Sequence, residues 1–295
     1  MEHVPVMIMD EFPDFDEPGF DIDEYNTRFY NSNVVIRASA RAVEYPVHWG
    51  PLSVKCSFNG EEHYQSQDSR YSVDDDHFLV FNNGRMYKSW IDSRTEVTSL
   101  TLNIAPAFEQ LALRSLMPLD FEEDRLIEHQ FAEMIYKHGS LVSPVVKKIA
   151  SASDNELEAL FFELVEHILF LQAEKIHIDK VRSSTKSEVF KRLYRAKDFI
   201  HSCYRENMSI QDIAEVACMN SFYFLREFKK AFNVTPYQFL TERRMQVARR
   251  LLSSTDLSVT EICNEVGFSD LSSFGKLFRK HYGFAPSDLR TYVRS

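Results

Sequence analysis

The feature that most restricts how this chain can fold is an internal repeat close to its end. Ser209-Ile-Gln-Asp-Ile-Ala-Glu-Val-Ala217 matches Ser258-Val-Thr-Glu-Ile-Cys-Asn-Glu-Val266 at an offset of 49 residues, and Phe228-Lys-Lys-Ala-Phe-Asn-Val-Thr-Pro236 matches Phe278-Arg-Lys-His-Tyr-Gly-Phe-Ala-Pro286 at an offset of 50. One residue is therefore inserted near the turn between the two blocks. Each copy opens on a helix-start signal, Ser209 with Asp212 and Ser258 with Glu261, in which the hydroxyl takes an orphan N–H and the carboxylate suits the positive helix end. A break follows at Cys218-Met219-Asn220 and at Gly267-Phe268-Ser269. Gly267 can take the left-handed conformation that ends a helix, and Asn220 and Ser269 are placed to cap the next one. Helix, short turn, helix is expected twice.

Between the copies, Thr235 can cap a connecting helix and Pro236 fits its first position, where the missing N–H costs nothing. About 18 residues at roughly 1.5 Å each span some 27 Å, enough to hold the second helices of the two copies a fixed distance apart. Phe224, Phe228, Phe274 and Phe278 repeat as core positions.

The two copies, the long connector, and the pattern Ile262…Gly267-Phe268-Ser269…Phe274…Phe278-Arg-Lys…Gly283…Pro286-Ser287 resemble the AraC/XylS family of bacterial transcription regulators, over about Val189 to Ser295. Cys218 stands where that pattern has Gly in its first unit. The resemblance implies that the second helix of each unit enters the major groove and that double-stranded DNA is the partner. Its base-facing positions fall on Phe222, Leu225 and Arg226 in the first unit. In the second they fall on Ser272, Gly275 and Lys276, with Leu271 and Ser273 beside them. Arg226 can donate twice to guanine O6 and N7, a pairing that discriminates by about 1–3 kcal/mol, and Lys276 sits at the equivalent place. Phe222 and Leu225 offer apolar contact only. Gly275 offers no side chain, so the second helix is expected to read fewer bases. Lys229, Lys230, Arg279 and Lys280 fit phosphate contact, or simple solvation of the helix.

A formal charge of −10 conflicts with DNA binding until it is divided. From Lys186 on there are 18 Lys and Arg against 12 Asp and Glu; before it, 16 against 32. The basic half suits nucleic acid and the acidic half does not. Asp10, Glu11, Asp14, Asp16, Glu17, Asp21, Asp23 and Glu24 occur without a Lys or Arg among them, which reads residues 1–24 as a flexible acidic arm.

From about Val34 to Ile104 apolar residues alternate, as in Leu52-Ser-Val54-Lys-Cys56-Ser-Phe58, the period of half-buried strands. Asn59-Gly60 and Asn83-Gly84 suit tight hairpins. An antiparallel meander closed into a small cupin-like barrel is the expectation for residues 25–110, with an effector pocket assigned to His48, Trp49, Tyr64, Tyr87 and Trp90. His63 lies beside them. Aromatic and His side chains on strands serve packing more often than binding. Helices are expected over Phe121–His138 and from Asp154, where Leu157, Leu160, Phe161, Leu164, Val165, Ile168 and Leu171 form an apolar stripe that either covers the barrel or pairs two subunits. Residues 111–181 are thus a helical segment suited to dimerisation, 182–187 a linker, and 188–295 the double helix-turn-helix domain. The fold class is α+β with an all-α C-terminal domain.

Cys56, Cys203, Cys218 and Cys263 are scattered without metal-ligand spacing, so no metal and no other cofactor is expected. Neither a transmembrane run nor a secretory signal is evident, and a cytoplasmic, membrane-free protein is expected. No activated nucleophile motif points to an enzyme. The reading is a DNA-binding regulator governed by a small-molecule effector, with a homodimer partner and RNA polymerase as a further one. The alternatives are a dimeric regulator without ligand, and a cupin-type enzyme fused to a DNA-binding module.

Overall fold

The computed structural model describes residues 4–15, 17–67, 69–116, 131, 133–139, 142–180 and 184–294. It divides into two compact units, residues 1–68 with 72–183, and residues 69–71 with 184–295. The fold is mixed α+β, with a sheet in the first unit and helices alone in the C-terminal region.

The sheet is built around β7 (Arg85–Ile104), a 20-residue strand that pairs with three others. Its partners are β2 (Asn33–Gly50), β3 (Leu52–Phe58) and β4 (Glu62–Ser66). Together with β1 (Val6–Met9), β6 (His77–Phe81) and β8 (Ile135–Lys137), the order is β1-β2-β7-β3-β6-β8, and β5 (Arg70–Val73) adds to β4. Among the described residues the end strands β1 and β8 do not pair, so the sheet is not closed and the expected barrel is corrected to an open sheet. It is no meander either. Asn59 (φ 63°) and Gly84 (φ 81°) do take the left-handed conformation that their turns require. Yet β3 pairs with β6 and β7 rather than β4, and β3 lies between β6 and β7. Turn chemistry fixes a reversal of the chain; the strand it reaches is chosen by side-chain packing.

Two segments read differently from the sequence are also corrected. Residues 1–24 are not wholly a free arm: Val6–Met9 pairs in parallel with Asn33–Ile36, and Asp21 caps α1 (Ile22–Tyr30) by accepting from the backbone N–H of Asp23 and Glu24. Met7, Met9, Phe12 and Phe29 pack on Val34, Ile36 and Ala38, an apolar gain that outweighs the repulsion of the exposed carboxylates. The helix expected over Phe121–His138 lies largely outside the described residues, and its end, Ile135–Lys137, is instead β8 on the edge of β6. There Tyr136 stacks on Phe78 at 5.2 Å, and the exposed ladder of β6 gains partners that a helix could not supply.

Because the period of a strand is two, the paired registers sort the sheet into two faces. One carries Val35, Leu100, Leu102, Val54 and Cys56 with Arg37, whose guanidinium donates to the Ala150 carbonyl of α3 (Val142–Ser151) at 2.6 Å. Helix α2 (Pro106–Leu116) and the 27-residue α4 (Asp154–Lys180) complete the layer. The stripe Leu157, Phe161, Leu164, Val165 and Ile168 is buried, and α4 meets α2, α3 and β1. Of the two readings of the stripe, covering its own unit is the one these contacts realise. The opposite face of the sheet is polar at Ser53, Lys55, Ser57, Ser99, Thr101 and Asn103, all buried.

The second unit holds α5 (Ser184–Ser202), α6 (Ile210–Val216), α7 (Ser221–Phe232), α8 (Pro236–Ser254), α9 (Val259–Glu265), α10 (Leu271–Tyr282) and α11 (Pro286–Arg294). The expected linker is corrected at its end, since residues 184–187 already belong to α5. One continuous core, from Leu193 to Phe278, joins all the helices between α5 and α10.

Candidate nucleic-acid interface

Both helix-start signals form as capping boxes. Ser209 accepts from Asp212 N–H while its own N–H donates to the Asp212 carboxylate, and Ser258 and Glu261 do the same. Those backbone and side-chain bonds from Ser209 hold the Asp212 carboxyl below its ordinary range, because they favour the charged form.

The turns are also duplicated atom for atom. Cys218 N–H donates to the Glu215 carbonyl and Met219 N–H to that of Ala214; Gly267 and Phe268 repeat this on Asn264 and Cys263. This is the Schellman arrangement, which closes a helix through one left-handed residue. Gly267 has φ 84°, and Cys218 is forced to φ 50° without the freedom of glycine. Arg195 steadies that turn, donating to the Val216 carbonyl at 2.9 Å and reaching Cys218 Sγ at 3.2 Å.

The caps that follow show where the extra residue sits. Asn220 caps α7, as expected, but α10 is capped by Asp270, not Ser269. Ser269 is the inserted residue, and the offset is already 50 at the cap. Hydrogen bonds from Ser273 and Ser272 to the Asp270 carboxylate depress its proton affinity.

Each second helix buries one side and exposes the other. Phe224, Phe228, Phe274 and Phe278 are completely buried, as expected of core residues. Phe222 is 88 % exposed, Leu225 37 % and Leu271 44 %, although burial of such side chains is favourable. Arg226, Lys229 and Lys230 on α7 are exposed, as are Ser272, Ser273, Lys276, Arg279 and Lys280 on α10; Gly275 is half-buried with nothing within 4 Å of an added Cβ. Arg226 is 70 % exposed, lies over the Tyr223 ring at 5.1 Å and donates from Nε to Glu227 at 3.0 Å. That bond uses one nitrogen and leaves the two Nη groups as donors. Outer-face positions thus gather on two helices held by one core. A chain of arginines ties the frame: Arg244 donates to the Tyr204 and Glu206 carbonyls, Arg205 pairs with Glu265 at 2.9 Å, and Arg290 donates to the Thr255 and Leu257 carbonyls. Sequence patterning did not mark these arginines, since periodicity treats a charged residue as surface.

A helix-turn-helix domain family model matches residues 213–292. The chain is 33 % identical over 119 residues to the Msm operon regulatory protein of Streptococcus mutans, covering 40 % of this chain and 41 % of that one. It is 24 % identical over 258 residues to the melibiose operon regulatory protein of Escherichia coli, covering 82 % of each. Residues 213–292 thus carry a helix-turn-helix domain of the AraC type. The chain spans less than half the length of the first curated relatives that it matches, 41 %, 32 % and 49 % of them. Among solved structures, a transcriptional regulator with an AraC-type DNA-binding domain from Chromobacterium violaceum is 27 % identical, covers 35 % of this chain and 91 % of its own, and has a TM-score of 0.33.

In the sheet unit the five expected pocket residues separate. His48 and Tyr87 are cross-strand partners with rings 4.5 Å apart, and Tyr64 lies 6.0 Å from Tyr87. Trp49 and Trp90 are displaced by an odd number of residues from that row and belong to the other side of the strands. Trp49 meets Tyr30 and Trp90 stacks on His63. Sequence reasoning missed Lys55 and Glu62, which are buried beside Tyr64 and Tyr87. Lys55 falls in the polar phase of β3 and so gave no signal, whereas Glu62, in phase with the buried Tyr64 on β4, was the available one. No helix among the described residues is long and apolar enough to cross a membrane.

Proposed function

We propose that this chain is a sequence-specific DNA-binding transcription regulator that places α7 and α10 in successive major-groove segments of one duplex. The observation that carries the reading is the exact duplication of the capped, Schellman-closed turn, which presents two outward helix faces from one core. Helix α8, 19 residues or about 28 Å long, is the rigid spacer. Arg226 reads guanine, Lys276 reads a base or a phosphate, Phe222, Leu225 and Leu271 contact thymine methyls, and Ser272, Ser273 and Gly275 line the second helix. Lys229, Lys230, Arg279 and Lys280 hold phosphates without reading sequence. A small-molecule effector on the polar face of the sheet, near His48, Tyr64 and Tyr87, biases how two copies in a homodimer engage half-sites, with RNA polymerase as the downstream partner, in the cytoplasm. The names of the relatives, regulators of the Msm, lactose and melibiose operons, agree with control of an operon.

Selection of duplexes from a random library by the full chain in dilute salt tests the proposal. Enrichment of two short base blocks about one helical turn apart is expected. Absence of any enriched block would overturn it.

A further inference from the structure

The two second helices follow one pattern but differ around their central cation. At the offset of 50 that aligns Phe228 with Phe278, Tyr223, Arg226 and Glu227 of α7 match Ser273, Lys276 and Leu277 of α10. On α7 the Arg226 guanidinium lies over the Tyr223 ring, 5.1 Å from its centre, and its Nε donates to Glu227 Oε1 at 3.0 Å. Arg226 is 70 % exposed, whereas the Glu227 side chain is 19 % exposed and Tyr223 is half-buried. A solvent-facing cation is thus held from two sides by groups seated on its own helix. On α10 Lys276 is exposed, Ser273 offers it no ring, and Leu277 packs against the core. Glu227 therefore stands where the other copy buries a leucine. It forgoes that apolar contact, and on a helix that faces DNA its charge repels phosphate. Its bond to Arg226 supplies the reason for a carboxylate there.

An exposed arginine samples many rotamers, and ordering it against a base consumes part of what the contact yields. A ring against its plane and a carboxylate on Nε restrict that freedom beforehand. They also decide which edge of the guanidinium is presented. With Nε engaged, the end-on pair Nη1 and Nη2 remains, a fork that fits the two acceptors O6 and N7 of guanine, whereas adenine sets a donor beside its N7. A lysine is a point charge with rotatable donors and has no plane to fix. Resting on the major-groove reading above, we propose that Tyr223 and Glu227 are positioning residues that clamp Arg226 end-on, so that the α7 block of the duplex is selected by a guanine while the α10 block is read with weaker preference. Glu227 acts on specificity rather than affinity: it sharpens the choice of base while weakening the hold on DNA at large.

The test takes the full chain and a duplex that it selects from a random library, with each guanine replaced in turn by 7-deazaguanine, which lacks the N7 acceptor. One replacement is expected to weaken binding of the unaltered chain at least about fivefold and that of Arg226→Ala less than about twofold. At that position Glu227→Ala should lower the preference for guanine over adenine at least about threefold and yet tighten binding to an unrelated duplex, a combination that a merely structural role does not produce. Glu227→Gln keeps an acceptor for Nε and should retain the preference. Tyr223→Leu should lower it at least about threefold, and Tyr223→Phe, which keeps the ring, should not. Preferences in the α10 block are the folding control and should stay unchanged. Full guanine preference in either Glu227→Ala or Tyr223→Leu overturns the clamp, as does a preference that falls alike in both blocks, or weaker binding of Glu227→Ala to the unrelated duplex. An enriched duplex without any position sensitive to 7-deazaguanine refutes this inference alone, whereas a library that yields no enriched duplex refutes the regulator reading.

Discussion

Cys218 and Gly267 occupy the same left-handed position of two equivalent turns, so exchanging their chemistry should shift stability in opposite directions. A side chain at positive φ costs about 1–2 kcal/mol, and glycine gives back about 0.5–1 kcal/mol of that through the freedom of the unfolded chain. Cys218 is at φ 50° and exposed, and Cys218→Gly gives up only the contact of Sγ with Arg195. A net gain of about 0.5–1 kcal/mol follows. Gly267→Ala runs the other way and adds a collision: an added Cβ would lie 2.7 Å from the Arg205 carbonyl oxygen and 2.9 Å from Arg244 Nη2. The first is backbone, and the second is held by its bonds to Tyr204 and Glu206. A loss of about 2–4 kcal/mol is expected. For a unit of this size 1 kcal/mol moves the midpoint by roughly 4–8 °C, so Cys218→Gly should melt a few degrees higher and Gly267→Ala at least about 8 °C lower. Circular dichroism at 222 nm follows the helices. Tryptophan fluorescence serves as an internal control, because Trp49 and Trp90 both lie in the sheet unit and none lies in the helical one. A Cys218→Gly protein that melts lower, or a Gly267→Ala protein within 1 °C of the parent, would refute the strain argument.

Three further outcomes are expected. Arg226→Ala should weaken binding to a selected duplex and relax its preference at one base pair by about 1–3 kcal/mol, whereas Lys229→Ala should weaken all sequences alike; competition assays with single-base variants separate the two. Gly275→Ala should stabilise the helical unit by up to about 1 kcal/mol, because an added Cβ meets nothing within 4 Å, and should lower DNA affinity if α10 lies against the duplex there; unchanged affinity would place position 275 away from DNA. Glu109 on α2 is buried and its pKa is pushed up to about 7 from the ordinary 4.5 by desolvation. Since the folded value is the higher one, stability of the sheet unit should fall as pH rises from 4.5 to about 7 and then level off. Glu109→Gln should remove that slope, a gain of about 3 kcal/mol at most above pH 7, read by tryptophan fluorescence in urea.

Local signals were legible wherever a few consecutive residues decide the outcome. Both capping boxes, the Thr235 cap with Pro236 after it, and the left-handed Gly267 form as expected. The cap of α10 was misplaced by one residue because an offset between repeats cannot say on which side of the insertion a cap falls; Asp270, with a carboxylate that takes two N–H bonds, wins over Ser269. The barrel, the meander and the hairpins at Asn59-Gly60 and Asn83-Gly84 were misread for a deeper reason. Alternation identifies a strand and its buried side but carries no term for which strand lies next to it.

What the sequence settled by itself is the duplicated helix-turn-helix module, since caps, turn residues and 3.6-residue periodicity act within a few residues of one another. What only the tertiary structure decided is the open sheet, the return of Val6–Met9 onto β2, and the meeting of Lys55 and Glu62 with Tyr64 and Tyr87. Those contacts join residues far apart in the chain, and their free energy depends on burial and cross-strand packing that no local pattern encodes.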